Sequence, residues 1–481
     1  MKAPLQQPIQ ELNSELNSGL NSDLNPELNP KLKKVVQNVV RIAQKISLVF
    51  PRMKYKTGDP PLGLALVAAN LRRNKFNVDL IDTTFHPTFE YLEEKLNAFD
   101  PDWIAIYTDT MMYDECIRIA KFAREKNKKV IIGGPHASLK PETLVDHADY
   151  VIKGEAEDTI IEVLQGKYEG QKLVQGVATD IETLPIAAYD LLEMNEYMKR
   201  WHLLDSVESN LKGTNIFSSR GCSFRCTFCQ PVLDNLFGKK LRTRSVESII
   251  EEIKYLKEKF GLQAYYFQDD TFTLKKIWIR EFCKRLVEEN LDCLLWGCNS
   301  RIDIVDEEIM RAMHKAGLRV MHIGVESGSQ RVLDEIYNKD INLAYVPEKI
   351  RLAEKIGIHC LCFFMLGAPG ETKEEIEKTI KFATSLDATE ITATIATPLP
   401  GTYLYDAIKD KYKVIDDFGQ FDYYKNSAFE NPDVSFKELK WLQKKLLIRF
   451  YTHPKRWRYI VNHFTSLDGM RKMFSKISRF T

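Results

Sequence analysis

The sequence has almost no net charge and contains no long apolar run. Its 481 residues carry 68 Lys and Arg against 67 Asp and Glu, which leaves a formal net charge of +1. A dedicated nucleic-acid-binding protein is normally visibly basic, so we expect no nucleic-acid partner. No apolar run reaches the roughly 20 residues that a membrane-spanning helix needs. Any contact with a membrane is therefore expected to be peripheral.

The sequence also lacks the marks of a disulfide-stabilised secreted protein. It opens without a signal peptide, and its nine cysteines show no even framework of spacings. Disulfides are therefore not expected, and we predict a reducing cytoplasmic location. Six cysteines have no partner at ligand spacing and are expected to be small structural thiols. They are Cys116, Cys283, Cys293, Cys298, Cys360 and Cys362.

The other three cysteines, Cys222, Cys226 and Cys229, have the spacing C-x3-C-x2-C and directly follow a strand-like run at 214–218. Thiolates are soft ligands suited to iron–sulfur clusters or zinc. No fourth cysteine is near, so a four-iron cluster here would leave one iron open, as a catalytic site requires. The alternative is a zinc knuckle or a set of buried thiols, although zinc usually takes two paired C-x2-C half-sites.

This spacing resembles the radical S-adenosylmethionine (SAM) superfamily, and the resemblance extends over about Asn210 to Tyr405. It implies that Cys222, Cys226 and Cys229 are the catalytic, metal-binding residues that hold a 4Fe–4S cluster. It also implies that SAM chelates the fourth iron and that one electron from the cluster splits SAM to a 5′-deoxyadenosyl radical. An electron donor such as flavodoxin or ferredoxin is then expected.

The first half of the chain divides into three predicted segments. Residues 1–40 form a low-complexity leader of repeated tetrapeptides, in which Pro26 and Pro30 would break a helix, and we expect it to be disordered or, alternatively, a weak docking helix. Residues 41–170 alternate five strands with amphipathic helices, which predicts a Rossmann-like, doubly wound parallel α/β sheet. Residues 171–212 are interpreted as a linker.

The second half divides into two segments. Residues 213–405 contain six β/α units, which predicts a partial (β/α)6 TIM-type barrel with its chemistry at the carboxyl ends of the strands. Residues 406–481 are predicted to form a basic, aromatic, helical C-terminal region. From Ser435 onward, 12 Lys and Arg stand against Glu438 and Asp468. Such helices suit the headgroup layer of a membrane; the alternative is a helical cap on the barrel.

A glycine pair, Gly133-Gly134, follows the fourth predicted strand of the first domain. Without side chains, a backbone can approach a flat ligand closely; taken by itself, the glycine pair also fits a plain tight turn. The placement resembles the cobalamin-binding domain that precedes some radical SAM domains. The resemblance implies that Thr108, Thr110, Gly133 and Gly134 line the pocket for the corrinoid tail and that cobalamin is a cofactor.

The resemblance departs from methionine-synthase-type domains in one respect. Those domains place a cobalt-ligating histidine after the first strand, whereas the matching stretch here, 50–63, contains no histidine. His86 and His136 lie in other loops and are expected to be solvated or outside the cobalt coordination sphere. A cobalt without a strong lower ligand fits the radical methylases, but the pattern also fits a domain that has lost its corrinoid.

Charged and glycine-rich segments follow the predicted barrel strands. Ionisable groups deep in a barrel are costly unless paired or bound to a ligand. The resemblance implies that Glu326 and the adjacent Ser327 contact the ribose, and that Asp269 and Asp270 lie where the family handles the methionine amine. The full set of candidate cofactor-binding residues in the barrel is Phe228, Asp269, Asp270, Arg301, Glu326, Ser327, Gly367 and Pro369.

Two further roles are implied by the resemblance. Arg301 is expected to bind the SAM carboxylate, and the stretch that contains Gly367 and Pro369 to back the adenine. For any single one of the charged residues, a structural ion pair is the alternative.

The whole pattern is closest to the group that contains anaerobic magnesium-protoporphyrin cyclase-like enzymes and cobalamin-dependent methylases. We therefore expect a cobalamin-dependent radical SAM enzyme that methylates an unactivated carbon of a lipid, tetrapyrrole or other secondary metabolite. Three alternatives remain: a ring-forming or rearranging enzyme, methylthio transfer, and a non-catalytic iron–sulfur or SAM-binding protein. No second cluster motif supports methylthio transfer.

Overall fold

The computed structural model describes residues 44–53, 56–414 and 429–456. The predicted leader at 1–40 lies outside the described residues, as do 457–481 of the predicted C-terminal region. The described chain is built around two six-stranded sheets, and all the strands within each sheet are parallel. The α/β class predicted from the sequence is confirmed.

The first sheet has the strand order β2-β1-β3-β4-β5-β6. Its strands are β1 (Lys45–Phe50), β2 (Asn77–Asp82), β3 (Trp103–Tyr107), β4 (Lys129–Gly133), β5 (Tyr150–Lys153) and β6 (Leu173–Gln175). The order reverses between β1 and β3, and in doubly wound sheets ligands bind outside the carboxyl ends of the strands at such a point. The loops that follow β3 and β4 are therefore well placed to bind a ligand.

Helices cover both faces of this sheet, which explains why β1 and β3 are buried over nearly their whole length. The helices are α1 (Leu62–Arg73), α2 (Phe89–Phe99), α3 (Tyr113–Glu125), α4 (Pro135–Leu139) and α5 (Thr159–Leu164), followed by α6 (Met194–Arg200) in the predicted linker. The sixth strand, β6, was not predicted. It lies beyond the domain boundary placed at residue 170 and pairs in parallel with β5.

The second sheet has the order β7-β10-β11-β12-β13-β14, so each strand is the neighbour of the next along the chain. Its strands are β7 (Gly213–Ile216), β10 (Ala264–Phe267), β11 (Leu295–Ser300), β12 (Leu318–Glu326), β13 (His359–Leu366) and β14 (Glu390–Ile395). The predicted partial barrel of six β/α units is confirmed. A short antiparallel pair, β8 (Ser219–Arg220) and β9 (Arg242–Thr243), lies between β7 and β10.

Helices pack on the outside of the second sheet. They are α8 (Val246–Phe260), α9 (Lys276–Glu288), α10 (Glu307–Lys315), α11 (Val346–Ile356) and α12 (Lys373–Ser385), whereas α7 (Val232–Phe237) and α13 (Tyr403–Asp406) are short helices in the loops that follow β8 and β14. Burial along β13 alternates strictly. Cys360, Cys362 and Phe364 are buried in the core with helix side chains, whereas Leu361 and Phe363 on the opposite face are only half-buried. The inner side of the barrel is therefore the more accessible one.

The last described helix, α14 (Phe436–Tyr451), begins with a capping box formed by Ser435 and Glu438. Leu442, Leu446 and other apolar side chains on one face are buried, and the helix packs against β14 and α12. For this helix, the structure agrees with the alternative of a cap on the barrel. Within the described ranges, no helix combines the length and the hydropathy needed to span a bilayer.

Candidate active site

The three motif cysteines lie on one long loop whose two ends are paired. β8 and β9 pair antiparallel, with Ser219 opposite Thr243 and Arg220 opposite Arg242. Residues 221–241 between them, here called the cysteine loop, contain all three cysteines and helix α7. The β8–β9 pair, here called the neck, thus sets where the whole loop starts and ends.

Hydrogen bonds inside the cysteine loop fix its shape. The Gln230 amide donates to the Cys226 carbonyl at 2.9 Å, and the Cys229 amide donates to the same carbonyl at 3.1 Å. The Gln230 side chain, which is buried, donates to the Phe224 carbonyl at 3.2 Å. Cys226 is buried, and Cys222 and Cys229 are partly exposed.

The protein environment of these thiols disfavours bare thiolates. Burial raises the pKa of Cys226, although the positive charges of Lys339 and Arg301 oppose the effect. Burial also raises the pKa of Cys229 to about 12. Thiolates at these positions therefore need a bound cation to balance them, because metal binding deprotonates a coordinating thiol.

Three free thiols on one short loop are a donor set of the kind that holds an iron–sulfur cluster. Within the described parts of the chain, no three His, Cys, Asp or Glu side chains converge as ligands of one ion. In a four-iron cluster, the cysteine ligands bind through sulfur to different irons and stand farther apart than the ligands of one ion. All three motif cysteines are free of disulfides, so all three are available as ligands.

Asp269, at the carboxyl end of β10, anchors the entry to the neck. Its carboxylate accepts hydrogen bonds from the Ser218 amide at 3.0 Å, the Ser218 hydroxyl at 3.1 Å and the Ser219 hydroxyl at 2.5 Å. Burial raises the pKa of Asp269 to about 6, and these hydrogen bonds oppose the rise. The structure thus places the Asp269 carboxylate against the start of the neck.

The two residues after Asp269 approach the loop from the same strand end. Asp270 keeps solvent access, yet desolvation by the surrounding protein and the charge of Asp269 raise the pKa of its carboxyl to about 6. The Thr271 hydroxyl lies 3.6 Å from Cys222 Sγ. The carboxyl end of β10 therefore adjoins the first cysteine of the motif.

Arg301, after β11, stacks its guanidinium on the cysteine loop, with Cζ 3.7 Å from the centre of the Phe224 ring. Its Nε and Nη2 donate to the two carboxylate oxygens of Asp303 at 3.1 and 2.9 Å. Nη1 is buried and has no hydrogen-bond partner. A buried donor without a partner is costly, so this atom fits an anionic ligand group such as the predicted SAM carboxylate.

Glu326, at the end of β12, pairs with a lysine that the sequence did not single out. Lys339 Nζ lies 2.7 Å from Glu326 Oε1, and both side chains are buried. The same Nζ lies 5.5 Å from the centre of the Phe228 ring, which packs edge-on against Tyr337 at 5.3 Å. Glu326 has a φ of +72°, which is strained for a residue with a side chain. If Glu326 binds ribose as predicted, its Oε1 is already shared with Lys339.

The structure turns Ser327 away from this group. Its hydroxyl lies 3.1 Å from the Thr379 hydroxyl of α12 and accepts from the Ser329 amide at 3.1 Å. The side chain is fully buried. Ser327 therefore holds the turn after β12 onto α12.

The loop after β13 meets the cysteine loop through apolar contact. Ala368 lies in one buried cluster with Tyr337, and Phe228 packs against that cluster. Gly367 has a φ of +78°, and its amide donates to Glu371 Oε2 at 2.7 Å. Pro369 is half-buried beside them.

In the first domain, the predicted corrinoid-binding residues form a tight double loop. Gly134 has a φ of +108°, and a Cβ there would lie 2.6 Å from the Thr108 carbonyl oxygen. The Thr108 amide donates to the Gly133 carbonyl at 2.8 Å. A Cβ at Gly133 would meet nothing within 4 Å, so this backbone faces open space. The cradle fits close approach by a flat ligand.

Two histidines of this domain, His86 and His136, contact other side chains of the protein. His136 is buried, with Nδ1 3.1 Å from the Thr110 hydroxyl and Nε2 3.2 Å from the Thr143 hydroxyl. Burial lowers the pKa of His136 to about 4. His86 pairs with Glu193 at 2.7 Å. That neither side chain is the lower ligand of a cobalt ion stays a prediction.

The corrinoid-side loops and the cysteine loop adjoin. Helix α4, which starts directly after the glycine pair, packs against α7 of the cysteine loop. A Cβ at Gly401, in the loop after β14, would lie 2.9 Å from Leu139 Cδ2 at the end of α4. The two predicted cofactor sites are therefore neighbours in space.

Comparison with known proteins agrees with this arrangement. Residues 54–164 match the model of the B12 binding domain, and residues 216–383 match that of the radical SAM superfamily. An uncharacterized methyltransferase of Pyrococcus horikoshii is 33% identical over 85% of this chain and 93% of its own length. The chain belongs to the radical SAM superfamily and carries a B12-binding domain.

One further relative of this B12-binding radical SAM enzyme and one solved structure with a similar fold are informative. An anaerobic magnesium-protoporphyrin IX monomethyl ester cyclase of Cereibacter sphaeroides is 26% identical over 77% of this chain and 64% of its own length. The structure of OxsB, a cobalamin-dependent SAM radical enzyme with aqua-cobalamin and SAM bound, superposes with a TM-score of 0.70 at 15% identity. The superposition covers 99% of this chain and 77% of OxsB and shows a shared fold.

The family identifies the cofactors predicted from the sequence: a 4Fe–4S cluster, SAM and cobalamin. The assignment of single residues to SAM or to cobalamin remains a prediction. Sequence reasoning missed the buried cation Lys339 and the charged residues around the neck, Arg220, Arg242, Glu155 and Glu157. Lys339 does not directly follow a strand, so no pattern in the sequence marked it as a site residue. Glu155 and Glu157 follow β5, so the rule that marked the charged barrel strand ends could have found them.

Proposed function

We propose that this B12-binding radical SAM enzyme methylates an unactivated carbon of a lipid, a tetrapyrrole or another secondary metabolite. The observation that carries the proposal is the packing of α4 on α7. Radical methylation needs the cluster side and the corrinoid side to reach one substrate, and this contact joins the two loops concerned. The relative from Pyrococcus horikoshii, which is named a methyltransferase, supports the same reaction class.

Residues of the barrel would bind the cluster and SAM, and residues of the first domain would bind cobalamin. Cys222, Cys226 and Cys229 would hold the cluster, and Arg301 Nη1 would receive the SAM carboxylate. The backbone at Gly133 would take the corrinoid tail. When bound, the cluster and SAM supply a primary carbon radical that abstracts hydrogen, and cobalamin supplies the methyl group.

The protein must also keep this chemistry away from water and from itself. The cysteine loop is covered on one side by the apolar cluster of Phe228, Tyr337 and Ala368. Lys339 and Arg301 bring two positive charges to the same region. Each of these cations is paired with a carboxylate, Glu326 and Asp303 respectively. Apolar cover on one side of the loop keeps water away there and restricts side reactions.

A second candidate is a ring-forming or rearranging reaction that uses the same radical without methyl transfer. The relative from Cereibacter sphaeroides, named a cyclase, favours it. Methylthio transfer is the remaining alternative, and no second cluster motif in the sequence supports it.

The test is anaerobic reconstitution of the full chain with iron and sulfide, followed by reduction in the presence of cobalamin and SAM with a trideuterated methyl group. Candidate lipids, tetrapyrroles and extracts of small metabolites serve as substrates. We expect 5′-deoxyadenosine together with a product heavier by one trideuterated methyl group. A product that has lost hydrogen without gaining label identifies the ring-forming alternative, and absence of 5′-deoxyadenosine rules out both radical reactions.

Two matched variants distinguish the cysteines that hold the cluster from the other cysteines. Cys226→Ala is expected to abolish cluster binding and turnover. Cys293→Ala, at the exposed cysteine of the chain, is expected to leave both unchanged. Turnover by Cys226→Ala would contradict the proposed site.

We also propose an external electron donor of the flavodoxin or ferredoxin type, because the sequence has no second cluster motif to pass electrons inward. Nucleic acid is not proposed as a partner. Peripheral contact with a membrane through the C-terminal region stays a prediction, and α14 contributes Trp441 and Ile448 as exposed apolar side chains.

A further inference from the structure

The neck of the cysteine loop is held by carboxylates of the B12-binding domain. Arg220 Nη1 donates to Glu155 Oε2 at 3.0 Å, and Arg220 Nη2 donates to Glu157. Arg242, directly opposite Arg220 in the neck, donates to both carboxylate oxygens of Glu155. Glu155 and Glu157 belong to the loop after β5.

The network is almost fully buried, so each of its charges needs an oppositely charged partner. The side chain of Arg220 is 9% exposed, that of Glu155 is 1% exposed and that of Glu157 is 5% exposed. Two like charges directly opposite each other destabilise a strand pair, so Arg220 and Arg242 need the two carboxylates between them. Removing one partner of a buried pair is strongly destabilising, because the other charge stays buried alone. The neck therefore depends on the B12-binding domain for its charge balance.

The same loop after β5 is hydrogen-bonded to the corrinoid side. The amide of Gly154, the residue before Glu155, donates to the Ser138 hydroxyl at 2.8 Å. That hydroxyl donates to the Gly134 carbonyl at 3.0 Å. A continuous path thus runs from the glycine turn through Gly154 and Glu155 to Arg220, two residues before Cys222.

The barrel holds the neck from its other side. The Ser219 hydroxyl, one residue before Arg220, donates to Asp269 at the end of β10. The Lys275 side chain, which precedes α9, donates to the Thr243 hydroxyl of β9 at 2.9 Å. Side chains of both domains therefore bind the cysteine loop at its neck.

We propose that Arg220, clamped by Glu155 and Glu157, is a positioning residue that sets the cysteine loop at a defined distance from the glycine turn. The inference rests on the proposed function in that it requires cluster and cobalamin to act on one substrate. Misplacing reacting groups by about 1 Å costs on the order of 100-fold in rate, so such a clamp has a direct use in methyl transfer.

The test uses Arg220→Lys and Glu157→Gln in the full-length holoenzyme. Lysine keeps the charge of Arg220 but loses the fork that reaches two carboxylates at once. Glutamine keeps the shape of Glu157 and removes its charge. The control is Arg72→Lys, at an ion pair with Asp190 of 2.8 Å in which both side chains are more than a third exposed.

The readout is the magnetic interaction between the reduced cluster and cob(II)alamin, measured by pulsed EPR. We expect a single well-defined coupling in the unchanged protein and in Arg72→Lys, and loss of this single coupling in both neck variants. Hydrogen exchange on the same proteins should show faster exchange at the amides of β8 and β9 in the neck variants.

If both neck variants keep the coupling of the unchanged protein, the proposal is overturned, even where the melting temperature falls. If Arg220→Lys does not fold, Glu157→Gln and Arg242→Lys decide the question with the same readout. Failure of the proposed function has a different signature. The unchanged protein would then carry both cofactors with a defined coupling but would yield no methylated product.

Discussion

Lys339 Nζ and Glu326 Oε1 lie 2.7 Å apart in a buried ion pair. The pair lies beside Phe228, a residue that stands between the second and third motif cysteines in the sequence. Both side chains are less than 10% exposed. The pair joins the end of β12 to Lys339, whose ammonium group faces the Phe228 ring of the cysteine loop. It places one positive and one negative charge next to the predicted cluster site.

Lys339→Met should leave Glu326 buried without its partner. We expect a loss of about 3–5 kcal/mol in the free energy of unfolding, the usual result of breaking a buried pair. We also expect a more negative cluster reduction potential, because a positive charge near the cluster is gone. Redox titration followed by EPR measures the second effect. Lys128→Met, at the exposed pair with Asp100, is the control, and an unchanged potential in Lys339→Met would contradict the electrostatic role.

Arg301→Lys tests the buried guanidinium that stacks on Phe224. Lysine keeps the positive charge. Its single ammonium group cannot hydrogen-bond to Asp303 and to an anionic ligand at the same time, as the planar guanidinium group of arginine can. We expect SAM affinity to fall roughly 10- to 100-fold, the value of one or two charge-assisted hydrogen bonds. Isothermal titration calorimetry on the reconstituted protein measures it. Arg280→Lys, in an exposed pair with Glu308, should bind SAM normally, and equal affinity in both variants would refute the assignment.

The glycine pair allows a matched comparison. Gly133→Ala places a methyl group in open space, whereas Gly134→Ala forces a side chain at φ +108° and 2.6 Å from the Thr108 carbonyl oxygen. We therefore expect Gly134→Ala to lower the melting temperature and Gly133→Ala to leave it nearly unchanged. Cobalamin affinity, measured by absorbance titration, should nevertheless fall in Gly133→Ala if the corrinoid uses that space. Normal affinity would show that the cofactor lies elsewhere.

Glu371 predicts a pH dependence of stability. It is fully buried, and burial raises the pKa of its carboxyl from 4.5 to about 7. The folded state then holds this proton more tightly than the unfolded state, so this group makes stability fall as pH rises from about 4.5 to 7. The loss amounts to about 3 kcal/mol. Glu371→Gln removes the titration, and urea unfolding at pH 5 and pH 8 should show a smaller difference for the variant. An equal difference in both proteins would argue against a raised pKa.

The architecture could be predicted from the sequence because its signals are local. Apolar strands alternate with amphipathic helices, and the C-x3-C-x2-C spacing is written in eight consecutive residues. β6 was missed because Leu173–Gln175 is only three residues long, and only its central residue, Val174, is buried. A strand that short shows no period that could be recognised.

The contacts between distant segments could not be predicted in the same way. Arg220 and Glu155 are 65 positions apart along the chain, and nothing local to either residue indicates the other. Ser327 shows the converse case, since its position after a barrel strand favoured a ligand contact, whereas the turn rotates its hydroxyl toward Thr379 on α12. The direction of a side chain at a strand end depends on the local backbone, here the positive φ of Glu326.

The charge balance of the neck restricts how this protein could be cut or recombined. A barrel fragment without the first domain would leave Arg220 and Arg242 side by side without their carboxylates. Grafting the barrel onto a foreign corrinoid module would succeed only if the new module brought two acids to the same spot. The two halves of this chain are thus complementary in charge at the neck, so we expect that neither can be exchanged alone without a matching change in the other.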